Sequence, residues 1–196
     1  MKKTLALAAS LAATAACLSK SPVEPVRYFT PELPAAVPAS EKTAPTQRAT
    51  ALWIRRVVAS SHLDERMARR TSEVEIGFDD LRRWTEDPAV YVERALAREL
   101  FDERGLVRSD AGRVPRLDVD VRAFEERTTP NRTASIAIAV SLLDAHGVAL
   151  LDRTFSEQTS LSGDSPDALA RAMGHSLAEV ARSAAAAIDA ALRAPR

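Results

Sequence analysis

RLDVDVRAFEERTTPNRTASIAIAVSLLDAHGVALLDRTFS, residues 116–156, is the stretch that decides the fold. Leu117, Val119 and Val121 alternate with Asp118, Asp120 and Arg122, the period-two pattern of a strand with one wet face. Ile136, Ile138, Val140 and Leu142 alternate with small residues over 132–143. Asp144-Ala145-His146-Gly147 reads as a hairpin turn, with glycine placed for positive φ. Residues 148–156 are the returning strand. Three antiparallel strands in a row make a β-meander, and its apolar face has to be covered by something.

The cover follows in the chain. Ser165 is placed as an N-cap, Pro166 at the first helical position, and Asp167 where it complements the helix dipole. Leu169, Met173, Leu177, Val180, Ala184, Ile188 and Leu192 then make one continuous stripe at helical spacing. Upstream, Asp87-Pro88 opens a shorter helix, with Val92, Leu96 and Leu100 on one side, Ala89 and Phe101 beside them, and Gly105 as its stop. Leu52 to Val58 reads as a strand with Trp53 in the core. Glu73 to Phe78 reads as another, and the polar residues 59–72 between them as a loop. The expected architecture is α+β: a two-layer sandwich of a mostly antiparallel sheet with two helices on one face.

The N-terminus carries a different message. Residues 1–17 read MKKTLALAASLAATAAC. Lys2 and Lys3 precede an apolar run that is shorter than the ~20 residues a membrane span needs. This is the form of a secretory signal. Small residues stand directly before Cys17, the one Cys in the chain. That arrangement resembles a lipobox, in which the Cys sulfur is acylated. Thr14 stands where an aliphatic residue is usual, and the alternative is an ordinary cleavage site at Ala13-Thr14-Ala15 with Cys17 a free thiol. Six prolines between residues 18 and 49 block helix and central strand and read as an extended tether, interrupted at 26–30 by strand-type residues suited to a sheet edge. The expected division is a signal over 1–16, lipidated Cys17 and tether over 17–46, and the domain over 47–196. Leu18 after the Cys points to the periplasmic side of the outer membrane, with the inner membrane or the soluble periplasm as alternatives.

Composition narrows the function. Lys plus Arg and Asp plus Glu number 27 each. Beyond the signal the balance is slightly acidic, which gives no footprint for nucleic acid. One Cys and three His make no zinc-type cluster, and neither glycine-rich phosphate motif is present. No metal or cofactor is expected. Asp118 and Asp120 share a strand face at i, i+2, a spacing that suits cation binding or acid–base work; flanked by Arg116 and Arg122, they read as cross-strand ion pairs. His62, His146 and His175 are far apart in sequence, with no nucleophile pattern beside them. The chain does not read as an enzyme. The candidates for partner binding are Trp84, either a docking anchor or a lid on its own core, and Arg66, Arg69 and Arg70. Set against Asp64 and Glu65, these arginines either contact anionic headgroups or an acidic partner, or simply solvate a loop.

Three short motifs carry a family resemblance: Arg27-Tyr28-Phe29-Thr30, the run His62 to Arg70 with Leu63-Asp64 in it, and Asp80 to Pro88 with Trp84-Thr85-Glu86. With the lipobox, the tether and the element order, they make residues 26–192 resemble the ABC-type transport auxiliary lipoproteins, the paraquat-inducible protein C type. Two departures are Ser60-Ser61-His62 in place of a proline before Leu-Asp, and Asp87 between Glu86 and Pro88. The resemblance implies a non-catalytic envelope lipoprotein that binds an MCE protein or its ABC permease complex in lipid transport; a second copy of the chain is a separate candidate partner. A structural or assembly lipoprotein scaffolding another outer-membrane complex is the alternative.

Overall fold

A computed structural model describes residues 24–34, 50–110 and 112–194; the expected export signal, Cys17 and most of the expected tether lie outside them. The sheet has eight strands: β1 (Arg27–Phe29), β2 (Ala51–Ala59), β3 (Arg66–Arg70), β4 (Ile76–Trp84), β5 (Val107–Arg108), β6 (Arg116–Arg127), β7 (Thr133–Leu143) and β8 (Ala149–Ser160). Among the described residues two helices accompany it: α1 (Pro88–Ala97), which widens into a π turn over Arg98–Glu103, and α2 (Pro166–Arg193).

The meander forms as its alternation dictates. Val119 pairs with Val140 and Ile138 with Phe155, both antiparallel. Leu117, Val119, Val121, Ile136, Ile138, Val140 and Leu142 are all buried. A bulge between Val121 and Ala123 shifts the register of β6. Beyond it Phe124 and Glu126 take the inward positions, which an unbroken alternation would assign to Ala123 and Glu125.

The rest of the sheet grows from the other edge of β6. β2 runs parallel along its first half, with Val57 opposite Val119, and β3 parallel along its second half, with Arg69 opposite Glu126. β2 and β3 therefore lie end to end against one long strand. β4 pairs antiparallel with β3, β1 pairs parallel with β4 at the rim, and β5 adds a short parallel pair to β2. Four pairings are parallel and three antiparallel, so the sheet is mixed, although its two longest pairings are antiparallel.

Both helices start where the caps predict. Asp87 Oδ1 accepts from the Ala89 N–H at 2.9 Å, and Ser165 Oγ from the Ala168 N–H at 3.1 Å. α2 buries its stripe from Leu169 to Ile188 on β7 and β8, each large side chain contributing about 1.5–3 kcal/mol. Ala168, Ala172, Ala181 and Ala185 are buried as well. Such small side chains let α1 pack close against α2.

Several expectations need correction. The expected loop 59–72 contains β3, hidden because its inward positions are Met67 and a charged Arg69. The strand read at 73–78 begins at Ile76 and runs on through Asp79, Asp80, Arg82 and Arg83 to Trp84; Val74, its first apolar residue in the reading, stands 95% exposed at the hairpin tip. Trp53 is half-buried rather than in the core, opposite Arg116. Ahead of residue 47, the strand-type residues expected at a sheet edge do form one, as β1 beside β4. Phe29 is buried, Pro31 is buried, and the chain over 30–34 crosses α2 at Gly174. There a side chain would overlap the Glu32 carbonyl oxygen and sit 2.7 Å from its carbon. Glycine is required by that crossing, not by the helix.

Candidate functional site

The three motifs that carry the resemblance are far apart in sequence and adjacent in space. They form β1, β3 and β4, one corner of the sheet. Phe29 lies opposite Trp84 in the register, and the Phe29 carbonyl accepts from the Thr85 N–H at 3.0 Å. Thr30 and Thr85 join through their hydroxyls at 2.8 Å, and Thr85 meets the Tyr91 hydroxyl at 2.7 Å. That hydroxyl also accepts from the Glu86 N–H at 3.0 Å. This chain of bonds clamps the entering segment to the start of α1.

Trp84 sits beneath the clamp and is 1% exposed. Its ring meets Phe124 edge-on, centroids 5.4 Å apart, and Tyr91 stacks nearly parallel to Phe124 with centroids 6.1 Å apart. This is aromatic core geometry. The indole is a structural centre of the corner, and a partner has no access to it in this conformation.

The three arginines divide. Arg66 lies near the surface, where its side chain and its own N–H both bond Asp64, at 3.0 and 2.7 Å. The Arg66 hydrogen bond holds the Asp64 carboxyl below its ordinary range. Its guanidinium also rests over the Phe78 ring at 4.5 Å. Arg69 and Arg70 point to opposite faces, as neighbours on a strand do, and each meets a buried carboxylate of β6. Arg69 Nε donates to Glu126 at 3.0 Å. Arg70 makes a two-pronged pair with Glu125, at 2.5 and 3.0 Å. Arg132 adds a second cation to Glu126 at 2.5 Å and reaches Asp164. Glu125 and Glu126 are each 2% exposed, so desolvated charge demands these partners. The paired hydrogen bonds raise the pKa of Arg70 and Arg132 further.

Sequence reasoning missed Glu125 and Glu126. The signal was present: two adjacent Glu interrupt the alternation of β6, and two adjacent Arg stand at 69 and 70, able to answer one on each face. Asp118 and Asp120 do form cross-strand ion pairs, but with Arg55 and Arg56 of β2 rather than with Arg116 and Arg122. His62 lies between β2 and β3, His146 in the β7–β8 turn and His175 on the exposed side of α2. No group of three or more metal-ligating side chains occurs among the described residues.

Two open clefts flank the corner. One, of about 310 Å³, is lined by Arg69, Arg82, Glu126, Thr128, Arg132 and Asp164. The other, of about 320 Å³, lies among Arg70, Thr71, Glu73, Arg127 and Pro130. Neither has the long aliphatic lining that an acyl chain needs. The face of the sheet away from the helices is open, with the Arg55–Asp118 and Arg56–Asp120 pairs beside Ala137, Ala139 and Ser141. No helix among the described residues is long and apolar enough to cross a membrane.

No curated protein matches the chain. Among solved structures it is similar to XCC0632 from Xanthomonas campestris, with 20% identity and a TM-score of 0.70 over 82% of this chain and 93% of that one. An uncharacterized protein matches with 17% identity and a TM-score of 0.65, over 84% of this chain and 99% of that one. The hypothetical protein CT253 from Chlamydia trachomatis follows, with 10% identity and a TM-score of 0.55 over 76% of this chain and all of that one. At these identities the likeness establishes a shared fold. The family model described as ABC-type transport auxiliary lipoprotein component matches residues 32–185. That span takes in every strand from β2 to β8, all of α1 and most of α2, and the chain belongs to this family of transport auxiliary lipoproteins.

Proposed function

We propose that this protein is a non-catalytic envelope lipoprotein, held at the periplasmic side of the outer membrane by acylated Cys17. It docks to an MCE protein or its ABC permease complex and bridges that complex to the membrane during lipid transport. The family match over 32–185 carries the reading. The architecture supports a binding role over a carrier role. The two clefts at the corner are open and lined mainly by arginines, acids and threonines rather than by aliphatic side chains, whereas the helix-free face of the sheet offers a broad surface of small side chains set between ion pairs. Arg66, half-exposed at the start of β3, is a polar contact for a partner.

The test is affinity purification of the tagged full-length protein from membranes, followed by mass spectrometry, with Cys17→Ala in parallel. Co-purified MCE and ABC subunits are the expected result, together with release of Cys17→Ala from the membrane. A wild-type protein that brings down other envelope proteins but no transporter subunit would replace the transport role with that of an outer-membrane scaffold. A Cys17→Ala protein that stays in the membrane fraction would remove the anchor.

A further inference from the structure

We infer that the β1 rim of the sheet, through Val26 and Tyr28, lies on the phospholipid surface that holds the protein's own anchor. The inference rests on Cys17 being acylated and goes beyond it, because it assigns a face. Had the ordered domain begun at residue 47, the chain after Cys17 would reach about 100 Å, and any face could meet the bilayer. The ordered strand begins instead at Arg27. From Cys17 to Arg27 a fully extended chain spans at most about 35 Å. This is shorter than the 12-residue strand β6, which is roughly 40 Å long. The rim where the chain enters is thus held closer to the bilayer than the sheet is long.

The side chains at that point suit an interface. Val26 is 40% and Tyr28 59% exposed. They are two apart on an extended segment and so share a side. A tyrosine with an apolar ring and a wet hydroxyl belongs at headgroup depth. Arg27 stands between the two, its guanidinium over the Phe29 ring at 5.1 Å, and Arg83 lies opposite Tyr28 in the register. Glu24 offsets one of these charges, so the apolar pair carries more of the contact than net charge does. Such a patch is weak alone. The short tether makes its binding intramolecular, at an effective concentration on the order of millimolar.

Acylation blocks the one native thiol, so Tyr28→Cys and Val148→Cys each carry a single reactive site on the full lipidated chain. Val148 is 60% exposed in the β7–β8 connection, at the opposite end of the sheet from the entry of the chain. Each variant is labelled with an environment-sensitive fluorophore and placed in vesicles of phosphatidylethanolamine and phosphatidylglycerol containing headgroup-quencher lipid. Quenching at least threefold stronger at 28 than at 148 is expected, with the order reversed for aqueous iodide. Equal quenching at both positions on vesicle-bound protein overturns the face assignment and leaves the anchor intact. An N-terminal peptide without lipid mass on Cys17 removes the anchor, and the inference with it.

Discussion

Gly174 decides a packing question by the absence of one carbon. In most exposed helix interiors, Gly→Ala stabilises by up to about 1 kcal/mol. Here the added methyl meets the Glu32 backbone, and backbone cannot swing aside as a side chain can. Gly174→Ala is therefore expected to lower stability by about 1–3 kcal/mol and to open residues 30–34 to proteolysis; a raised urea midpoint would show that Glu32 does not lie over the helix. Asp64 shows how a charge on the surface acts. The hydrogen bond from Arg66 depresses its folded pKa, so its contribution is fully present above the unfolded value of about 4 and is lost as pH falls through the lower folded value. The pair is about half-exposed, and solvent screening keeps the effect small. Melting temperatures of wild type and Asp64→Asn should differ slightly at pH 6 and converge as the pH is taken below the depressed folded pKa of Asp64. A gap that stays constant with pH would assign the effect to something other than this charge.

At the scale of elements, the contacts of β3 are what distinguish this sheet from a plain meander with helices. Its inward positions are Met67 and Arg69; Arg69 is met there by buried Glu126 and, at 3.9 Å, by Asp79, and its side chain keeps part of its surface in solvent. Arg132 from the start of β7 shares the Glu126 carboxylate. Removing one cation leaves desolvated charge under-compensated, so Arg132→Leu is expected to cost about 3 kcal/mol. The double variant R132L/E126L should cost less than that single change, since it removes the buried charge together with its partner. Chemical denaturation of the full cycle checks this; additive costs would mean that the two side chains do not interact. The same pairing explains what was legible in the sequence. The meander, α1 and α2 depend on local periodicity and caps, and their starts at Arg116, Pro88 and Pro166 stand where the pattern puts them. β3 and the charged half of β4 depend on partners about 55 residues away in the chain, such as Glu125 for Arg70. Their sequence carries charge where a strand rule wants apolar residues. Trp84 was open to two readings because its neighbours Asp80, Arg82 and Arg83 look wet, while the ring itself is enclosed by Phe124 and β1. The tether contributes Phe29 and Pro31 to the core, which its proline content conceals.

For the whole molecule, the position of β1 ties stability to the attachment proposed through Cys17. β1 is the outermost strand of its corner and has three residues. Alone it would be marginal. It holds because Phe29 is 8% exposed against Trp84's neighbourhood, the Thr30–Thr85–Tyr91 hydroxyls lock it, and the Arg98 guanidinium donates to the Pro34 carbonyl at 3.1 Å. If Cys17 carries the proposed lipid, any force on it is delivered first to this strand and the strap over Gly174, and through them to α1 and α2, rather than to the meander. The segment should then act as part of the fold and not as a removable leash. A chain starting at residue 47 loses the burial of Phe29, worth about 2–3 kcal/mol, before Pro31 and Leu33 are considered. Compared with a chain starting at residue 24, it is expected to melt roughly 4–12 °C lower, at about 2–4 °C per kcal/mol for a domain of this size. It should also expose the Gly174 side of α2 to hydrogen exchange while β6, β7 and β8 stay protected, because their mutual pairing does not involve β1. Equal melting temperatures for the two chains would return residues 24–34 to the tether and free the domain to turn any face toward the bilayer.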